Sequence, residues 1–307
     1  MKLVPKTLVL SAVAASLCLG VAGTARADVF ASSILTINNF RLLHANGSAF
    51  APADFDLLAG SNFAHATASL NAGTSTAVPL NVDILSGSNT DITHQFVGLP
   101  SPPRAENNFA PFPNPPAVPG TFGYADQFLT GSALQIGPNP AGALAQTRAD
   151  ASLQTNGMAS GDSDVGTLTT FSFSLANAEA LTFAFDATPY TQAYATAGGT
   201  NAIARVSWSL SIRNPLTNAL IFSFQPGQLN GDSAISRTGA FAGMTTYNPG
   251  TFSFSALSPL LNPNDTYQLT IQHNTLANVS QVPEPATLAI FGFGLLGMAA
   301  LRRRRAA

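Results

Sequence analysis

The sequence predicts an all-β chain: an antiparallel β-sandwich, jelly-roll-like, with a proline-rich loop and one hydrophobic segment at each end outside it. Three observations predict it. Apolar and hydroxyl side chains alternate with period two through the second half of the chain, as in strands with one buried and one wet face. Charged residues make up only 9% of the chain while hydrophobic ones reach 46%, the reverse of a disordered composition. Short Gly, Asn, Asp and Pro clusters separate the alternating runs and read as turns.

At the N-terminus, Lys2 and Lys6 precede an apolar region from about Leu8 to Val21, followed by Ala25-Arg26-Ala27. Positive charge, apolar stretch and small-x-small is the order of a secretory signal peptide, so residues 1–27 are assigned as a signal helix cut by signal peptidase between Ala27 and Asp28. A lipoprotein signal at Cys18 would want a small residue where Leu17 stands. Cutting there leaves a body of residues 28–281.

The first mature segment, Ser33 to Leu43, reads as a strand bending at Asn38-Asn39. Phe55 to Leu85 is rich in Ala, Ser and Thr and weakly patterned. Residues 100–119 carry eight prolines, which favour extended backbone without hydrogen bonds. This is read as a long surface loop whose Phe109 and Phe112 dock on the body. Beyond it Leu168, Phe171, Phe173 and Leu175 alternate with hydroxyl residues, as do Leu181, Phe183 and Phe185. Val206, Trp208, Leu210 and Ile212 continue the pattern; Asn214 to Asn218 turns, and Leu220, Phe222 and Phe224 return antiparallel. Phe252 and Phe254, then Tyr267, Leu269 and Ile271, complete the set. Each buried Phe or Leu contributes about 1.5–3 kcal/mol, so the aromatics, Trp208 included, are assigned to the core.

Composition narrows the function. Between Asp28 and Val282 there are six arginines, no lysine, twelve aspartates and two glutamates, a net charge of −8. Such a surface offers a phosphate backbone little to bind, so no nucleic-acid partner is expected. Cys18 is the only cysteine, so the body forms no disulfide and no thiolate metal site. His44, His65, His94 and His273 lie far apart in sequence, in no paired metal spacing. Glu179 is read as a solvated turn residue. Gly161-Asp162-Ser163 and Gly231-Asp232-Ser233 look superficially like a hydrolase nucleophile block, but the Asp-x-x-His partner is missing, and both are read as turns. Asp162 and Asp164 have the spacing of a calcium loop without its further ligands, and this too is read as a turn. No catalytic residue, metal or cofactor is assigned.

The C-terminal stretch is the most specific. Val282-Pro283-Glu284-Pro285 leads into an uncharged apolar run, Ala286 to Leu301, and then Arg302, Arg303, Arg304 and Arg305. As a helix, residues 286–301 would be about 24 Å long at roughly 1.5 Å per residue, a marginal span of a hydrocarbon core of about 30 Å. The arginines mark a cytoplasmic stop, which leaves the body outside the inner membrane. Gly292, Gly294 and Gly297 spell a dinucleotide-like pattern, but no acidic partner follows, and they suit a membrane helix. The three parts in this order resemble the sorting segment of the PEP-CTERM proteins of Gram-negative, exopolysaccharide-producing bacteria. The resemblance covers residues 282–307 only. It implies that an exosortase, as partner, acts near Pro283, Glu284 and Pro285, where two prolines keep the chain extended and accessible. A permanent single-pass anchor is the competing reading of the same segment.

The expectation is therefore an exported, exosortase-processed surface or extracellular-matrix protein with a non-catalytic body. A carbohydrate-binding module for exopolysaccharide would put exposed aromatics on one concave sheet face, with Tyr190, Tyr194 or Tyr247 pointing outward together. A secreted hydrolase would need a Ser or a carboxylate pair to converge with one of the four histidines in a pocket, and Ser163 or Ser233 within hydrogen-bond reach of a histidine would point to it.

Overall fold

The structure is a computed structural model that describes residues 28–83, 90–112, 120–165, 169–196 and 200–282. The expected signal helix, the sorting motif at Pro283–Pro285, the helix 286–301 and the stop Arg302–Arg305 lie outside these residues. Among the described residues no helix is long and apolar enough to cross a membrane.

In chain order the strands are β1 (Val29–Leu43), β2 (Phe55–Leu70), β3 (Gly73–Thr76), β4 (Leu80–Asp83), β5 (Thr90–Val97), β6 (Phe122–Thr130), β7 (Ala143–Leu153) and β8 (Gly157–Val165). They continue with β9 (Thr169–Leu175), β10 (Thr182–Ala195), β11 (Thr200–Arg213), β12 (Leu220–Phe224), β13 (Ile235–Thr238), β14 (Gly243–Tyr247), β15 (Phe252–Leu257) and β16 (Tyr267–Gln281). All pairings are antiparallel and fall into two sheets. The first runs β14-β10-β1-β7-β6-β5, with β15 also on β10; the second runs β12-β11-β16-β8-β2-β3, with β13 on β11, β4 on β2, and β9 on both β16 and β2.

Period-two alternation decides which side chains meet between the sheets. On β11 the inward Val206, Trp208, Leu210 and Ile212 are all buried, and so are Phe171, Phe173 and Leu175 on β9 and Leu269 on β16. Together with Leu35, Ile37, Phe40, Phe183 and Phe185 of the first sheet they form the large aromatic part of the core. Phe185 lies 4.4 Å from Trp208, centroid to centroid, which places the tryptophan inside, as its alternation predicts.

The other end of the interior is built differently. Ala31, Ala149, Ala151, Ala193, Ala195, Ala202, Ala204 and Ala277 fill it, with Val29, Leu153 and Val279. Such small side chains let the sheets approach closely, and two glycines mark the limit. A Cβ on Gly161 would stand 2.0 Å from the Tyr124 carbonyl oxygen, and one on Gly123 2.3 Å from that of Ser160. This corrects the turn reading of Gly161-Asp162-Ser163 and of Asp162–Asp164: all four positions, 161–164, lie within β8, where Gly161 serves close packing. Gly231-Asp232-Ser233 does form a turn.

The structure adds strands and pairings that the pattern left open. Phe55 to Leu85, weak as a pattern, contains β2, β3 and β4. β10, which carries Phe183 and Phe185 of the sequence pattern, runs on to Ala195 through Pro189. β15 joins β10 in the first sheet, whereas β12 pairs with β11 in the second. The bend at Asn38-Asn39 is present as a register shift between Asn38 and Arg41, with Asn39 at φ 55°.

One polar layer crosses the interior. Thr147 of β7 donates from its hydroxyl to Nε2 of His273 on β16 at 2.9 Å, while the His273 ring also bonds the Leu35 backbone, so a neutral imidazole joins the two sheets. Burial holds His273 far below the usual imidazole pKa, at about 3. Beside it lies an apolar cavity of about 80 Å³ lined by Ile37, Phe40, Leu129, Trp208 and Ile271, with Asn62 and His273 supplying polar atoms.

Candidate functional site

The outer face of the first sheet carries the buried charged residues Asp126, Arg148 and Asp150. Alternation on β7 sends Ala149 and Ala151 inward and Arg148, Asp150 and Ser152 outward, where a wet face would be expected. Yet Arg148, Asp150 and Asp126 are all 0% exposed. The reason is the proline-rich segment, whose described part, Leu99 to Phe112, lies across this face as a strap.

The strap is held by specific contacts. The Asn107 backbone N–H donates to Asp126 Oδ2 at 2.8 Å, and Tyr124 Oη donates to the same oxygen at 2.9 Å. Arg148 Nε donates to Asp150 Oδ2, and its Nη1 to the carbonyls of Asn108 and Ala110. Arg104 donates to the same two carbonyls, so two guanidinium groups clasp one stretch of backbone. Phe112 meets Phe30 edge-on at 5.6 Å and lies 4.6 Å from the Arg104 and 4.9 Å from the Arg148 guanidinium carbon. Docking of Phe112 is thus as expected for this loop.

Burial sets the charges here. It pushes Asp126 up to about 6, against the hydrogen bonds from Tyr124 and Asn107 and the nearby His94, which pull it down. Burial also lowers Arg104 to about 10, helped by repulsion from Arg148. Tyr124 is raised, by burial and then by Asp126.

Strand register aligns the outward side chains into rows. Tyr124 of β6 stands opposite Asp150 of β7, which is opposite Ser32 of β1, opposite Gln192 of β10, opposite Thr246 of β14. In the neighbouring row Asp126, Arg148, Ile34 and Tyr190 are aligned. Several polar atoms in these rows have no hydrogen-bond partner: Asp126 Oδ1, Arg148 Nη2, Asp150 Oδ1, Ser32 Oγ and Gln192 Oε1.

The residues nominated from sequence are dispersed. Ser163 Oγ donates to the Asp126 carbonyl at 2.7 Å, and Ser233 Oγ to the carbonyls of Asn230 and Val206 at 2.8 and 3.2 Å. Neither hydroxyl is bonded to a histidine. Glu179 is not a solvated turn residue: its carboxylate accepts from His44 Nδ1 at 2.9 Å while Asp54 takes His44 Nε2 at 3.2 Å, and the imidazole stacks on Phe50. Glu106 accepts the His94 backbone N–H at 3.2 Å, and His65 is bonded to Thr67 at 3.0 Å. No group of three or more metal-ligating side chains occurs among the described residues. Tyr190 and Tyr194 share the outer face of β10 with Gln192, whereas Tyr247 stands opposite Thr191 on the inward face and donates to the Gln228 carbonyl. The three tyrosines therefore do not form one platform. Sequence reasoning missed Arg148, Asp150 and Asp126; the available signal was charge in mid-strand of a body with only six arginines.

The Asp28 carbonyl accepts from the Thr196 N–H and hydroxyl, and β1 begins at Val29. At the other end β16 closes at Gln281. Residues 281–305 match the family of the PEP-CTERM protein-sorting motif. No curated protein and no solved structure matches the chain.

Proposed function

We propose that this chain, exported and targeted to exosortase by its PEP-CTERM motif, is a surface or extracellular-matrix protein whose jelly-roll-like body is not catalytic. The sorting match carries the reading, because it directs the chain to a membrane-associated processing step and away from the cytoplasm. The hydroxyls of Ser163 and Ser233 support the second half. Each is engaged as a donor to backbone carbonyls, which leaves neither placed beside a base that would activate it.

The test is intact-mass analysis and fractionation of the native product. Starting at Asp28 and ending near Pro285, in the outer or extracellular fraction, is the expected result. A cytosolic product with both termini intact overturns it. A product retaining Arg302–Arg305 in the inner membrane would instead mean a permanent anchor.

A second reading, a carbohydrate-binding body, is favoured by one observation. Tyr190 and Tyr194 flank Gln192 on a face that also presents unpaired polar atoms.

A further inference from the structure

We propose that the row Asp150, Ser32 and Gln192, with Arg148 and Asp126 beside it and Tyr190 and Tyr194 along its edge, is a binding site for a neutral sugar unit. The inference rests on the carbohydrate-binding reading and gives it a place. The motivating observation is that Asp126, Arg148, Asp150, Ser32 and Gln192 are each at most 1% exposed, yet each keeps a side-chain polar atom without a partner. Native folds pair nearly all buried polar atoms, so several left over on one face ask for an occupant.

The kinds of atom left over select the occupant. Asp126 Oδ1, Asp150 Oδ1 and Gln192 Oε1 accept, Arg148 Nη2 donates, and Ser32 Oγ can do either. A cation would suit the oxygens but would be repelled by the Arg148 guanidinium. An anion would suit Arg148 but meet two carboxylates, in a body of net charge −8. Hydroxyl groups both donate and accept, so a molecule carrying several of them answers the whole set. Side chains directly opposite on neighbouring strands are about 5 Å apart, a spacing that successive ring hydroxyls of one sugar unit can bridge. The aromatic faces of Tyr190 and Tyr194 on the same side of β10 suit the apolar face of such a ring. Entry requires the strap to lift. It is held there by Asn107 on Asp126, by Arg148 on the Asn108 and Ala110 carbonyls and by Phe112 on Phe30, a local set of contacts that can open without unfolding the sheets.

Calorimetric titration of the full-length chain in detergent with glucose, mannose and galactose oligomers tests the site, with alginate oligomers as the anionic counterpart. Binding of at least one neutral oligomer is expected, weakened about fivefold by Ser32→Ala and about tenfold by Gln192→Ala. Ser209→Ala, on the opposite sheet, should leave it unchanged. Because Ser32→Ala removes an unpaired buried hydroxyl, the variant should melt no lower than the parent, which separates lost binding from lost fold. Neutral-sugar binding that both variants leave intact overturns this site but not the carbohydrate reading. Absence of neutral-sugar binding, with ordered water only in these positions, overturns both, and preferential binding of alginate overturns the neutral ligand.

Discussion

His273 and Asp126 are single residues whose ionisation should be visible in the stability of the whole. The His273 ring has an ordinary pKa of 6.5 and is held at about 3 in the fold. Between those values the unfolded chain takes up a proton that the folded chain refuses, so stability falls as pH drops below about 6.5, by roughly 1.4 kcal/mol per pH unit. Asp126 acts in the opposite sense. Its pKa rises from 3.8 to about 6 on folding, so its contribution is complete below 3.8 and is lost as pH rises through 6. Urea unfolding at pH 7 and 4.5 should therefore show His273→Gln gaining stability relative to the parent on acidification, and Asp126→Asn gaining on the way back up. Parallel stability curves for parent and variants would sink both attributions. Gly161 gives a steric counterpart: Gly161→Ala drives a methyl into the Tyr124 carbonyl and should cost about 1–3 kcal/mol or more, while Gly231→Ala, with open space around it, should change little. Paired denaturation curves decide it.

Strands and the strap behave according to what lies on each face. Strands β9, β11, β12 and β16 were readable because Phe, Leu, Ile and Trp alternate with Ser and Thr, a contrast that period-two reasoning detects. β2, β7 and the second half of β10 were not, because their inward positions are largely alanines, such as Ala64, Ala66, Ala68, Ala149, Ala151 and Ala193, which stand out little from the hydroxyl residues around them. The Gly161 segment misled for a related reason: glycine, aspartate and serine are turn formers locally, and only the opposite sheet, distant in sequence, explains the glycine. The strap lies between these cases. Its proline content revealed an extended loop, but its seat over Arg148 and Asp150 is a long-range contact that no local pattern encodes. Phe112 is its apolar fastening, so Phe112→Ala should expose Leu99–Phe112 first. Cleavage after Arg104 by trypsin, measured against global unfolding, should accelerate at least tenfold while the melting temperature moves by only a few degrees, about what 1 kcal/mol would give. Equal protection of Arg104 in parent and variant would contradict this.

The molecule as a whole combines two unlike interiors. Large aromatics fill one end, and alanines with two glycines bring the sheets together at the other. Val29 of β1 and Val279 of β16 both belong to the alanine end, so the described chain enters and leaves the sandwich on the same side. This can be measured, because Cys18 is the only natural cysteine and thiols introduced at Asp28 and Val282 would be the only ones in the body. Spin labels there should report a separation set by the sheet spacing of about 10 Å plus the label arms, whereas ends at opposite poles would lie about 50 Å apart, the length of a 15-residue strand.

That shared exit has a consequence for orientation. On the proposed export route, an end held at a membrane would turn the alanine pole toward the lipid. The turn from His44 to Ser48, joined to the aromatic pole through Leu42 and Phe50, would then lie on the side away from that membrane, open to a neighbouring molecule.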